Sequence, residues 1–131
     1  MNIISLRFSD INGTLKEVII SERLFEKANV EGIWFDGSSI EGFARRFESD
    51  MRLIPDASSS YTINGVKTYF CEVHKAGKPF NGDPRIILKR LLSKTEENYE
   101  VKFITAGELE FYVLRNGESI DTGGYFDVSP R

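Results

Sequence analysis

The chain has 131 residues, 40% hydrophobic and 28% charged, the composition of one globular domain or one and a fraction, large enough to bury a core without staples. A net charge of −3 gives no electrostatic case for nucleic acid or an anionic membrane surface. A single cysteine excludes an intramolecular disulfide framework and a cysteine metal cluster, and it fits a reducing cytoplasm. The opening residues read as no signal peptide, and no apolar run approaches membrane-spanning length.

In chain order, Ile3 to Phe8 alternates apolar and polar residues and predicts a half-buried strand. Asn12-Gly13 is the strongest hairpin signal, and Leu15 to Ile20 supplies the second strand. Ser21 is placed as a helix cap, with Leu24, Phe25 and Ala28 on one side of a short helix that Gly32 stops. Ile33-Trp34-Phe35 then leads into Asp36-Gly37-Ser38-Ser39-Ile40-Glu41-Gly42-Phe43-Ala44-Arg45-Arg46-Phe47-Glu48-Ser49-Asp50-Met51. This stretch crowds turn formers together with apolar anchors and charges of both signs, a costly combination for a structureless loop. Ile40, Phe43 and Phe47 are apolar anchors that want cover, and Asp36 and Asp50 are the acids at its borders.

Met51 to Ile54 is a short apolar segment. Tyr61-Thr62-Ile63 and Lys67 to Val73 flank Asn64-Gly65, a second hairpin with Tyr69, Cys71 and Val73 in alternation. Cys71 reads as a small buried hydrophobe and His74 as a strand-end histidine, since one histidine without nearby Cys or His is poor metal evidence. Lys75 to Gly82 reads as a linker. Asp83-Pro84 is a strong helix start, and the helix is expected to run to about Asn98, with Ile87, Leu88, Leu91, Leu92 and Thr95 as its apolar stripe. Val101 to Ile104 and Glu108 to Leu114 are predicted strands, and Asn116-Gly117 a turn. The pattern predicts an α+β chain. The specific expectation is a β-grasp over residues 1–80, a mixed sheet with one short helix, followed over 81–131 by a helix and the first strands of a further, incomplete domain.

Glu108-Leu109-Glu110 is the sharpest local constellation. On a strand the two glutamates and Tyr112 share one face while Leu109, Phe111 and Val113 share the core face. Paired carboxylates of this kind suit hard cations such as Mg2+ or Mn2+. Taken alone, Glu-x-Glu on a strand is a weak signal, because most such pairs face solvent.

Several segments, in order, resemble the N-terminal part of type I bacterial and archaeal glutamine synthetase. They are Arg7-Phe8-Ser9-Asp10-Ile11-Asn12-Gly13, the stretch from Phe35 to Arg45 with Glu48-Ser49-Asp50-Met51 and Pro55-Asp56, Asp83-Pro84-Arg85, Gly107-Glu108-Leu109-Glu110-Phe111, and Gly123-Gly124-Tyr125-Phe126-Asp127. The resemblance implies a ligase that makes glutamine from glutamate, ammonia and ATP through a γ-glutamyl phosphate, with Mg2+ or Mn2+ as cofactor. It implies sites shared between neighbouring subunits of a cytoplasmic homo-oligomer, a dodecamer in the family. By the same resemblance Asp36 matches the acid that helps bind ammonium and draw off its proton, and Asp50 a second acid lent to the same neighbouring site. Glu108 and Glu110 match metal ligands, and Arg45 matches a residue of feedback inhibition in some members. No nucleotide-binding residue matches within this chain, so the expectation is a truncated portion, inactive alone. Arg46-Phe47 departs from the family pattern in a way that bears on local packing or regulation, and Leu109 departs from it without removing a ligand. The alternative is a non-catalytic β-grasp module that docks onto a full-length synthetase.

Overall fold

The computed structural model describes residues 2–43 and 49–119. The expected first hairpin is present: β1 (Ile3–Ser9) and β2 (Leu15–Ser21) pair antiparallel, from Ile3 opposite Ser21 to Ser9 opposite Leu15. Its turn is organised by a buried carboxylate. Asp10 accepts the Asn12 and Thr14 amides at 2.9 and 2.8 Å, with Lys16 Nζ 3.3 Å away. Burial pushes the Asp10 carboxyl up, but the Thr14 amide, Lys16 and the Asn12 amide together hold it below the usual carboxylate range.

A 3-10 turn at Glu22–Leu24 runs into α1 (Phe25–Glu31), which stops at Gly32. Ser21 stands at the cap position, yet its side chain makes no capping bond. It still belongs to β2, and the Glu22 amide is satisfied by the Asn2 carbonyl at 3.1 Å instead. The expected inward face is half right. Ala28 is buried and Phe25 stacks on Tyr69 at 4.5 Å, whereas Leu24 is exposed, because it lies in the tighter 3-10 turn whose phase differs from that of the helix.

The sheet is completed by β3 (Ile33–Asp36), β4 (Asp50–Pro55), β5 (Tyr61–Ile63), β6 (Val66–Lys75) and β7 (Lys78–Pro79). Spatial order is β2-β1-β6-β4-β3, with β5 and β7 pairing to β6. β1 and β6 run parallel and the other pairs antiparallel, so the sheet is mixed. Leu6, Met51, Leu53, Cys71 and Val73 are fully buried on its inner face, joined by Ile4, Phe8, Ile20, Ala28 and Tyr69. This is the α+β, β-grasp arrangement anticipated from the sequence. Cys71 is a core residue whose thiol burial pushes up to about 12.

Three expectations need correction. Residues 75–82 are not a plain linker: Lys75 pairs with Lys78 across a tight turn in which Ala76 and Gly77 both take positive φ, and β6 offers the edge that makes this a hairpin. The helix starts as expected, with Asp83 as cap and Pro84 in the first turn, and α2 (Pro84–Tyr99) ends at left-handed Glu100. Its predicted stripe is not a core face, however. Ile87, Leu88, Leu91 and Leu92 are 50%, 55%, 60% and 38% exposed, and Ile86 is the buried position. The helix meets the sheet through its first turns, on the side that carries Ile86, which turns the stripe away.

The third correction concerns residues 101–113, which form no regular structure. A strand exists only by pairing, and no described strand lies beside Val101–Ile104 or Glu108–Val113. Among the described residues of this region, pairing is confined to β8 (Leu114–Arg115) and β9 (Glu118–Ser119) around the expected Asn116-Gly117 turn. The Gly123–Asp127 motif lies outside the described residues.

Candidate functional site

Asp36 ends β3 and Asp50 begins β4, and the antiparallel register sets them directly opposite each other. Alternation explains their exposure. The next pair inward is Phe35 opposite Met51, both packed on the core, so Asp36 and Asp50 project from the other face, and both are exposed. Directly opposed residues on antiparallel strands have Cβ atoms about 5 Å apart, close enough for like charges to repel. Among the described residues neither carboxylate has an ion-pair partner.

Local hydrogen bonds fix Asp36. It caps a 3-10 turn at Gly37–Ser39: Oδ1 accepts the Ser38 amide at 2.9 Å and the Ser38 hydroxyl at 2.7 Å, and Oδ2 accepts the Ser39 hydroxyl at 3.1 Å. The Ser38 hydroxyl and amide, aided by Ser39 and Ser49 against partial burial, hold the carboxyl below its ordinary range. Asp36 is therefore ionised at neutral pH and oriented, with acceptor capacity left over for a cation.

Two glycines shape the loop. A Cβ on Gly37 would lie 2.5 Å from Met51 Sδ, and the Gly37 amide donates to the Ser49 carbonyl at 2.7 Å, so the two ends of the loop close on each other there. Gly42 takes φ +78° and lies against Ile11 of the first hairpin turn, where a Cβ would come within 2.3 Å of Ile11 Cδ1. Phe43 is the anchor: it is buried, with ring centroids 6.0 Å from Phe8 and 5.4 Å from Phe80. Ile40 packs on the same core. Of the expected anchors and functional residues, Phe47 and Arg45 lie outside the described residues.

Glu108 and Glu110 present a different picture. Both are exposed on the unpaired segment, and the residues expected on the core side are exposed as well, Leu109 at 90% and Phe111 at 74%. Among the described residues no group of three or more His, Cys, Asp or Glu side chains could hold a metal ion. As placed, the glutamate pair does not fit a metal site. His74 lies near the end of β6, half-buried, its Nε2 3.6 Å from Glu72 Oε2.

Sequence reasoning missed two features. One is the next outward pair beside the acids: Trp34 opposes Arg52, whose guanidinium lies 4.9 Å from the indole centroid and donates to the Glu31 carbonyl at 3.0 Å. The other is a charged cluster joining Asp56, Glu72, Arg85 and Lys89. The sequence offered the cap signal at Asp83-Pro84 but nothing that paired Arg85 with a residue so far upstream. No described helix is long and apolar enough to cross a membrane.

Comparison with known proteins bears on the family and the fold. A family model described as the glutamine synthetase β-grasp domain matches residues 1–76. Curated glutamine synthetases align along nearly the whole chain. That of Thermotoga maritima is 43% identical over 97% of this chain and 32% of its own length. That of Halobacterium salinarum is 38% identical over 100% and 32%. Among solved structures, a GmaS/ADP complex superposes with a TM-score of 0.70 at 24% identity, covering 74% of this chain and 23% of that one. A Plasmodium falciparum glutamine synthetase superposes with a TM-score of 0.65 at 21% identity, covering 74% and 20%, and these two likenesses speak to fold alone. The chain spans about a third of the length of the curated relatives it matches, and it belongs to the glutamine synthetase family.

Proposed function

We propose that this chain supplies the ammonium-binding acids of a glutamine synthetase, with residues 1–80 as its β-grasp domain and 81–131 as the beginning of its catalytic domain. The observation that carries the reading is the Asp36–Asp50 pair, two exposed carboxylates set opposite each other on paired strands. Like charges so placed cost the sheet stability, and a bound cation between them offsets that cost. An ammonium ion fits the chemistry: its N–H groups donate to carboxylates, and Asp36, held ionised by Ser38, can accept a proton as the nitrogen lone pair is freed for attack. The reaction implied by family membership joins ammonia to glutamate at the expense of ATP, in a cytoplasmic assembly where a neighbouring subunit completes the site. Mg2+ or Mn2+ would neutralise phosphate charge there. Glu108 and Glu110 are the proposed ligands once their segment is paired. Arg45 is the proposed regulatory position.

The test is a graft. Residues 33–55 of this chain replace their counterpart in the Thermotoga maritima relative, and ammonium-dependent glutamine formation is measured. The chimera is expected to be active. Asp36→Asn or Asp50→Asn within it should lower kcat/KM for ammonium at least about tenfold, the lower range for loss of a proton-handling group. Wild-type kcat/KM in both variants would overturn the reading. An inactive but assembled chimera with both acids intact would favour the non-catalytic docking module instead. The chain by itself should form no glutamine.

A further inference from the structure

α2 is fastened to the sheet at one end. Asp83 is fully buried; its Oδ2 accepts the Val73 amide of β6 at 2.7 Å and its Oδ1 accepts the Arg85 amide at 2.8 Å. Arg85 Nη2 donates to Asp56 Oδ2 at 2.7 Å while its guanidinium lies 5.6 Å from the Phe70 ring centroid. One helical turn later Lys89 Nζ bonds Glu72 Oε1 and stands 3.6 Å from Asp56 Oδ2. Ile86 is the apolar residue buried between these charges in sequence, and Arg90 reaches back to Asn81 at 2.6 Å. Beyond Arg90, among the described residues, no hydrogen bond or ion pair ties α2 to the sheet, and Leu91, Leu92 and Tyr99 are exposed.

The two sides of this junction are held by different forces. The sheet rests on a contiguous apolar core in which Leu6, Met51, Leu53 and Val73 are fully buried. The helix rests on one buried isoleucine, a buried cap and three partly exposed ion pairs, with Arg85 and Lys89 side chains 32% and 52% accessible. Ion pairs of that exposure are screened by salt, whereas the apolar core is not. We propose that Asp83, the Asp56–Arg85 pair and the Glu72–Lys89 pair form a clasp that docks α2 on the sheet and opens as a unit, releasing the helix while the sheet stays folded. Because Asp56 directly follows β4, the strand that begins with Asp50, the clasp also sets the direction in which the chain leaves the acid-bearing strand. The charge states agree with it. Asp56 is held well below the ordinary carboxylate range, by the Ser58 hydroxyl first and by Arg85 next, and the Glu72 hydrogen bond raises Lys89.

Native-state hydrogen exchange on the full chain tests the clasp. Arg85→Gln should speed exchange of the α2 amides about tenfold, the scale expected for a charged hydrogen bond, while β1 and β6 amides keep their rates. Lys89→Met, which keeps most of the stem and removes the charge, should act in the same direction to a smaller extent, so the test survives if Arg85→Gln disturbs folding. Asp56→Asn with Arg85→Gln should be only slightly faster than Arg85→Gln alone, because the Arg85 bond is already lost and only the longer Lys89 contact to Asp56 is left to remove. Raising ionic strength toward about 1 M should mimic the variants in α2 alone. Unchanged α2 exchange, or helix and sheet accelerating together, would overturn the proposal.

Discussion

Two acidic pairs in this chain have similar chemistry and opposite structural standing. Asp36 and Asp50 are separated by a long loop, yet β3–β4 pairing puts them face to face. Glu108 and Glu110 are two residues apart, yet nothing among the described residues orders the segment between them into a strand. Sequence proximity is therefore a poor guide to which carboxylates the fold sets against each other. A carboxylate is positioned by the backbone bonds of its neighbours, and those bonds come from a partner strand with a core beneath it.

Paired core truncations test this contrast with the largest expected effect. Leu53→Ala, at a fully buried position on the strand that carries Asp50, should cost about 2–5 kcal/mol and lower Tm by roughly 10 °C. Leu109→Ala, between the two glutamates, should change stability by no more than about 0.5 kcal/mol, because nothing packs on it. Denaturant midpoints of the two variants measure the difference, and equal losses would break the contrast.

The loop joining the aspartates gives a smaller effect. Gly42→Ala places a Cβ where φ is +78° and Ile11 Cδ1 stands 2.3 Å away, which should cost about 1–2 kcal/mol. The Ile11 methyl is the flexible end of a half-exposed side chain, so the backbone conformation accounts for most of this loss. Amide chemical shifts at Ser38 and Ser39 should move while those of β1 stay in place; a silent substitution would show that the hairpin turn does not brace the loop.

The smallest effect sharpens the comparison from the other side. Added Mn2+ should shift Tm by less than about 1 °C, and Glu110→Ala should leave that response unchanged, because two carboxylates on an unpaired segment do not make a preformed site. A large Mn2+ stabilisation abolished by Glu110→Ala would mean that the glutamates are already gathered into a site.

What the sequence revealed follows the range of the interactions. Asn12-Gly13 and Asn64-Gly65 announce hairpins because their turns need only local backbone freedom, and both hairpins form. Tyr69, Cys71 and Val73 alternate visibly, and all three are buried. Asp36-Gly37-Ser38-Ser39 could be read as turn formers, and the structure makes Asp36 the cap of that turn. Its pairing with Asp50 was not legible, since register across a loop depends on which strands meet. The β6–β7 hairpin was hidden because Ala76-Gly77 lacks the usual asparagine or aspartate. The α2 stripe had the right period and the wrong facing, because periodicity shows that a helix has sides, whereas Asp83, Arg85 and Lys89 decide which side docks. The strands expected over 101–113 had suitable apolar content, but content supplies no neighbour.

The parallel contact between β1 and β6 has a consequence for how the fold is reached. β1 takes its second neighbour from the far end of the domain, with Ile4 beside Lys67 and Arg7 beside Phe70. The hairpins on either side can form early from nearby residues, but the sheet cannot join until that distant closure is made, and closures of this kind slow folding. On a ribosome the first strand waits, with one edge open, until β6 has emerged. Over that interval the exposed edge is the part of the chain most prone to pairing with another copy.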